Sequence, residues 1–478
     1  MMLAKYTLSC LCLNFLLLLS FSSRHGVLAG SVVNYLPGFS GVLPFKLETG
    51  YISVNESELF YLFVPSQGRP KVDPLLIYLV GGPGCSALNA FLFQTGPVQF
   101  NTTDYTGSIP SLSLYPYTWT KSASIIFVDS PVGAGFSYST NPEDYYISDT
   151  ETVTQLHLFL REWLQEYPQF INNQFYVVTD SYAGIYAPIL ALDIIEGNEA
   201  GMQPFINLRG IISGSPHTFT NLEDNTKIAF YHQMALISDS LYQAAKEDCG
   251  GNYIFVLQNN TACLEDLDAI DECVEDINEM MVLAPKCNTV SPEPKDAQLR
   301  RSLRENRRKR KGGNFPLPYS KENDYYCEDF RYVLSYIWAN NETVREALHV
   351  RKGTVKEWHR CNLTLIDVTY DYNVYSVVDY HKNLTERSIQ VLLYTADHDV
   401  VVPHISTEAW MSGLGLTLET DWRPWYVQGQ IAGYTLKYTN YGYGLTYATL
   451  KGSGHSPTEW KGEYCFNMFE RWINRYPL

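Results

Sequence analysis

A serine, an aspartate and a histidine, each beside a predicted strand end or a glycine-rich turn, are the residues of this 478-residue chain best suited to nucleophilic chemistry. Ser181 lies in Thr179-Asp180-Ser181-Tyr182-Ala183-Gly184, after the run Phe175 to Val178 and before the helix-compatible stretch Ile185 to Glu196. A serine at a sharp strand-to-helix turn has its hydroxyl lifted out of the sheet toward a base. Downstream, the run Gln390 to Thr395 leads into Ala396-Asp397-His398-Asp399-Val400, and Gly452-Ser453-Gly454-His455-Ser456-Pro457 comes later. In this reading His455 takes the proton from Ser181 and returns it to the leaving group, while Asp397 fixes the imidazole tautomer and stabilises the imidazolium. His398 and Asp399 are near alternatives. Asp397 ranks first because it comes directly off the strand, whereas Asp399 lies farther into the loop. Any one of these residues alone would be an ordinary loop residue; the weight lies in three of them in this order beside strand ends and glycine-rich turns.

Upstream, Val80-Gly81-Gly82-Pro83-Gly84-Cys85-Ser86 follows another apolar run. Standing alone it would read as a tight turn that needs glycine. Beside a nucleophile turn it reads as a place where backbone N–H groups approach a substrate oxygen, with the N–H of Gly82 and that of Tyr182 forming an oxyanion hole. The chain order Ser, Asp, His is that of the α/β-hydrolases, in which an acid at a strand end orients a histidine on a late loop.

Such a site needs a sheet beneath it. The short β-branched and apolar runs Leu75 to Val80, Ser124 to Val128, Phe175 to Val178, Leu208 to Ser213 and Gln390 to Thr395 have the character of buried parallel strands. Between them the stretch Thr152 to Glu166 places Val153, Leu156, Phe159, Leu160, Trp163 and Leu164 on one helical stripe. Strands alternating with helices predict an α/β fold with a central, mostly parallel sheet covered on both faces. From about Ser215 to Tyr326 the rhythm breaks into helical patterns and cysteines, and a helical, disulfide-containing insertion (cap) is expected there. The resulting division is a core in two parts, 30–214 and 327–478, with the insertion at 215–326.

Composition narrows the function classes. Thirty-five basic against 51 acidic residues give a net charge of −16, and binding a phosphate backbone needs the opposite field, so no nucleic acid partner is expected. With 45% hydrophobic and 18% charged residues the chain has ample material for a large core. Residues 1–29 read as a signal peptide: Lys5, an apolar stretch from Leu8 to Phe21, then small residues to Ala29. That stretch is shorter than the ~20 residues a bilayer requires, so no membrane attachment is expected of the mature form. Eight cysteines remain beyond it, in a disulfide-permissive compartment, with their pairing open. Six sequons, at Asn55, Asn101, Asn259, Asn341, Asn362 and Asn383, agree with passage through the secretory pathway. A basic run, Arg300-Arg301 and then Arg307 to Lys311, lies in a Pro- and Gly-flanked segment near 291–313. It reads as a solvated loop, and more sharply as a processing site whose excision leaves two chains. No Cys/His spacing implies a metal or organic cofactor.

Gly-Gly-Pro-Gly-Cys-Ser at 81–86, Asp129-Ser130-Pro131-Val132-Gly133-Ala134-Gly135-Phe136-Ser137-Tyr138, Asp180 to Gly184 and Asp397 to Pro403 together resemble the serine carboxypeptidases, in particular the plant serine carboxypeptidase-like proteins, from about Leu36 to Leu478. The resemblance implies an α/β-hydrolase fold, the triad Ser181, Asp397, His455, disulfides Cys85–Cys327 and Cys249–Cys263, and excision of a basic linker to give two disulfide-linked chains. It also implies delivery to the vacuole, with the extracellular space as the alternative. Carboxypeptidases of this family carry Trp-Asn-Gly-Gly-Pro-Gly and Gly-Glu-Ser-Tyr-Ala-Gly, whose asparagine and glutamate hold the peptide carboxylate. Here those positions, next to Gly81 and Ser181, are Val80 and Asp180. The aspartate resembles the acyltransferase branch, which implies a 1-O-acyl-glucose donor and a small-molecule hydroxyl acceptor as partners. Thr179, Ser215 and Ser456-Pro457-Thr458-Glu459 also depart from the family pattern of glycine, asparagine and Thr-Ala-Pro-Glu.

Overall fold

The computed structural model describes residues 30–102, 105, 107–286 and 330–478. The proposed signal segment, Cys287, the basic run and Cys327 lie outside them. Twelve strands form one sheet: β1 (Ser31–Val32), β2 (Glu48–Val54), β3 (Ser57–Val64), β4 (Leu75–Leu79), β5 (Ser124–Val128), β6 (Tyr138–Ser139), β7 (Phe175–Asp180), β8 (Leu208–Gly214), β9 (Gln390–Ala396), β10 (Thr417–Val427), β11 (Gln430–Asn440) and β12 (Tyr443–Leu450). Their order is β1-β2-β3-β5-β4-β7-β8-β9-β12-β11-β10, with β6 paired to β3. The middle, from β5 through β4, β7, β8 and β9 to β12, is parallel, and both flanks are antiparallel. This is the α/β-hydrolase arrangement expected from the sequence.

The strands read as continuous apolar runs because each face is covered. Leu76 and Tyr78 of β4 pack into one core cluster with Phe91, Trp338 and Phe469, while Leu75, Ile77 and Leu79 pack into a second with Leu156, Trp163 and Leu190. The helix α1 (Asp149–Glu166) starts three residues earlier than its stripe predicts. A capping box is the reason: Ser148 Oγ accepts from Glu151 N–H and the Glu151 carboxylate accepts from Ser148 N–H. After β7 comes α2 (Tyr186–Glu199), buried on most of its surface. The antiparallel flanks, β2–β3 and β10–β11, and the last parallel strand, β12, were not among the predicted runs; β2, β10 and β11 have mixed, half-exposed patterns that carry a weaker signal, whereas β3 and β12 are buried along most of their length.

Within 215–286 lie three helices, α3 (Thr220–Gln233), α4 (Asp239–Asp248) and α5 (Thr261–Val274), which share a small apolar cluster of their own. Val400, just past the end of β9, is buried in that cluster, so the helical segment rests on the loop that carries the candidate acids. Cys249–Cys263 joins α4 to α5, as the resemblance implies. Cys85 does not pair with Cys327; it is bonded to Cys361. The reason lies in the backbone: Ser86 N–H donates to Arg360 O at 2.8 Å and Asn362 N–H to Gly84 O at 3.0 Å, a short antiparallel bridge that places the two cysteines opposite each other. Of the sequons, Asn55, Asn259 and Asn383 are exposed, while the Asn362 amide donates inward to Gly133 O. Among the described residues no helix is long and apolar enough to cross a membrane, and no group of three metal-ligating side chains occurs.

Candidate active site

Because β4, β7, β9 and β12 run parallel, their carboxyl ends lie at one edge of the sheet, and the segments leaving them converge there. Ser181, the residue after β7, has φ 60°, a left-handed conformation that a serine adopts only where the surroundings impose it. The strained turn aims Oγ away from the sheet, and His455 Nε2 lies 2.7 Å from it. The predicted nucleophile and base are therefore in contact.

The acid is a different residue from the one ranked first. His455 Nδ1 is 2.9 Å from Asp399 Oδ2, not from Asp397. Both partners are buried, Asp399 completely. Asp397 comes straight off β9, but its Oδ1 turns to Gly452 N–H, Ser453 N–H and the His398 ring, at 2.8, 3.1 and 2.6 Å. Two further residues of loop are needed for a carboxylate to come beneath the imidazole. Burial pushes the His455 imidazole down, but the Asp399 carboxylate beside it, with Asp180 and Glu459, more than offsets this, and the net direction is above the ordinary histidine value. An imidazole lifted in this way is a stronger proton acceptor.

The glycine turn stands against the nucleophile. A Cβ on Gly81 would fall 2.5 Å from Tyr182 N and 2.8 Å from Ser181 Cβ, so only glycine allows the approach. Gly82 has φ 122°. This close packing places the Gly81-Gly82 backbone beside the amide of Tyr182, the neighbourhood that an oxyanion hole requires. The Tyr182 hydroxyl donates to Asp149 Oδ1 at 2.7 Å, and Tyr370 OH and Val374 N–H donate to the same carboxylate. On its other side the Tyr182 ring stacks on His217, whose Nδ1 is paired with Glu223.

Asp180, the residue before the nucleophile, is 1% exposed. Its Oδ2 accepts from Ser456 Oγ at 2.5 Å and Gln94 Nε2 at 3.1 Å, while Oδ1 has no hydrogen-bond partner among the described residues. Burial pushes this carboxyl up to about 6. Gln94 also reaches Glu459, which accepts from Arg331 and Tyr332. Thus two positions that depart from the family pattern, Asp180 and Ser456, are hydrogen-bonded to each other. A third, Thr179, shares a 2.8 Å bond with Ser213 on the neighbouring strand, and Ser215 lies buried at φ 38°. Val80 is buried and offers no polar atom. Asp399, Gln94, Asp149 and Glu459 were not singled out as functional from the sequence beyond Asp399 as an alternative. Nothing local marks the other three, whose partners are 86, 33 and 128 positions away in the chain.

The family model for serine carboxypeptidase matches residues 37–475. The chain belongs to the serine carboxypeptidase family. Members of this family from Arabidopsis thaliana are its relatives: serine carboxypeptidase-like 12 is 43% identical over 466 residues, covering 97% of this chain and 98% of that one. Serine carboxypeptidase-like 11 is 44% identical over 471 residues, covering 98% and 100%. The fold is also that of Kex1(delta)p, a prohormone-processing carboxypeptidase from Saccharomyces cerevisiae, with a TM-score of 0.70 at 18% identity over 93% of this chain and 95% of that one. The chain is thus an enzyme of the serine carboxypeptidase family, with a serine–histidine–aspartate constellation at the expected edge of its sheet.

Proposed function

We propose that this enzyme is a serine acyltransferase that moves an acyl group from a 1-O-acyl-glucose ester to a hydroxyl acceptor of plant specialised metabolism. The observation that carries the reading is the pair Val80 and Asp180. At the two positions where carboxypeptidases hold a peptide's carboxylate, one side chain has no polar atom, and the other is shortened, buried and bound to Ser456 and Gln94. Loss of two orienting groups removes much of what an exopeptidase needs to place its substrate.

In this mechanism Ser181 Oγ attacks the acyl carbon as His455 Nε2 takes its proton. The negative oxygen is held by the N–H groups of Gly82 and Tyr182. The bond to the glucose oxygen breaks, His455 returns the proton to that oxygen, and an acyl-enzyme remains. An acceptor hydroxyl then gives its proton to His455 and attacks the same carbon, releasing the ester and restoring Ser181. Asp399 stabilises the imidazolium in both halves. The ester donor supplies the driving force, so the cycle calls for no cofactor. The enzyme works in the secretory pathway, in the vacuole or outside the cell, as two disulfide-linked chains once the basic linker is removed.

A second reading, a serine carboxypeptidase, is favoured by one feature of the same residue. A carboxyl whose value is pushed up to about 6 is neutral below that pH, and Asp180 Oδ1 could then donate to a peptide's terminal carboxylate. Incubation with acyl-glucose esters and alcohol acceptors, with peptides in parallel, separates the two. New ester that disappears in Ser181→Ala supports the transferase. Release of C-terminal amino acids without ester formation rejects it in favour of the peptidase.

A further inference from the structure

We infer that Asp397 is a positioning residue, which anchors the loop bearing His455 to the carboxyl end of β9 so that the imidazole meets Asp399 and Ser181 together. The inference rests on the Ser181–His455–Asp399 reading above.

Pairing between β9 and β12 stops at Ala396 opposite Leu450. A last backbone bond, Asp397 N–H to Leu450 O at 3.3 Å, follows, and from there the two chains diverge, one toward Asp399 and the other toward His455, without a regular ladder. Asp397 spans the gap. One oxygen, Oδ1, accepts the N–H groups of Gly452 and Ser453, the second and third residues after β12, and also bonds His398 Nδ1. His398 N–H returns a bond to Ser453 O at 2.9 Å. Together these bonds tie residues 397–398 to residues 452–453, and His455 lies two residues beyond. Burial raises the Asp397 carboxyl, but the His398 ring and the two backbone donors prevail and hold it below the ordinary aspartate value. It is therefore a charged acceptor, which strengthens bonds to backbone N–H groups.

The same oxygen makes no bond to the imidazole of His455, whose Nδ1 and Nε2 are taken by Asp399 and Ser181. A role as triad acid and a role as anchor make opposite demands on substitution. An acid depends on charge. An anchor depends on an acceptor oxygen at the right distance from two amides, which asparagine retains and glutamate displaces by a methylene.

The test measures the rate at which a fluorophosphonate labels Ser181, and kcat and KM for whichever ester or peptide the wild type turns over, in Asp397→Ala, Asp397→Asn and Asp397→Glu, with folding checked by circular dichroism. A shift of the base by about 1 Å costs roughly 10²-fold. Asp397→Ala is expected to label and turn over about 10²-fold more slowly with KM changed by less than about threefold, because the loss falls on chemistry. Asp397→Asn is expected to recover most of that loss and Asp397→Glu little of it. A wild-type labelling rate in Asp397→Ala, or Asp397→Glu outperforming Asp397→Asn, overturns the inference. Should Asp397→Ala fail to fold, the order of the other two variants decides by itself. Failure of the underlying reading looks different: wild-type protein unlabelled at Ser181 rejects the triad, and the anchoring role with it.

Discussion

At the scale of single residues, two aspartates two positions apart divide the labour: Asp399 meets His455, and Asp397 bonds the backbone of the loop that carries it. Asp399 is fully buried against His455, and its charge is what lifts the imidazole against the cost of burial. Asp399→Asn removes that charge and leaves only the more distant carboxylates of Asp180 and Glu459 against the effect of burial. Turnover should fall by about 10³–10⁴-fold, the size of effect seen when a triad acid becomes an amide. The acidic limb of kcat/KM against pH should also move to lower pH, since the base is protonated less readily. An acidic limb that stays in place, or a loss below tenfold, would show that Asp399 is not the partner of the base. The exchange of Asp397 for Asp399 also shows where sequence reading reached its limit. Adjacency to a strand end is visible in the chain, but which of two carboxylates turns under an imidazole more than 50 positions away depends on how the loop 397–403 curls.

At the scale of elements, the site depends on the four segments that leave β4, β7, β9 and β12 at one edge of the sheet and on a fifth that bonds across the last two. Residues 279–282 donate and accept backbone bonds on both sides: Val400 N–H to Glu279 O, Val282 N–H to His398 O, and His455 N–H to Met280 O at 2.6 Å. Gly454 makes this crossing possible, because a Cβ there would fall 2.2 Å from Met280 O and 2.6 Å from Met281 Cβ. Gly454→Ala should therefore force the strap and the His455 loop apart. We expect a fall in kcat of about tenfold or more with a loss of ~1–3 kcal/mol in stability, the usual cost of overpacking a tight contact. Thermal melts and single-turnover rates would check this, and a variant with unchanged values of both would remove the strap from the account. Elements with a regular signal were legible in the sequence: five of the six parallel strands and α1 were found within three residues of their ends, while β12 was missed. The strap was not, since a loop that pairs through backbone groups leaves no pattern in side-chain types.

At the scale of the whole molecule, the buried carboxyl next to the nucleophile couples stability to pH. Asp180 is pushed up to about 6 by burial, so the fold favours its neutral form. A carboxyl raised in the folded state contributes stability that is complete below its unfolded value near 4 and is lost as pH rises through about 6. The loss from this one group is at most ~3 kcal/mol by pH 7. Asp180→Asn should keep an oxygen for Ser456 and Gln94 and remove the titration. Its melting temperature should therefore fall less than that of the wild type between pH 4.5 and pH 7. Parallel pH profiles for the two proteins would mean that Asp180 is ionised in the fold throughout.

By itself the sequence determined the family, most of the parallel sheet, and the serine, the histidine and the glycine turn that the fold brings together. Each of these is a local pattern: an apolar run, a turn residue, an order along the chain. Tertiary structure alone decided that Asp399 and not Asp397 meets His455, that Cys85 bonds Cys361 and not Cys327, and that Ser456 and Gln94 close around Asp180. These are pairings between residues 56 to 276 positions apart. They are set by the register of strands and the path of loops, and those depend on packing summed over the whole molecule.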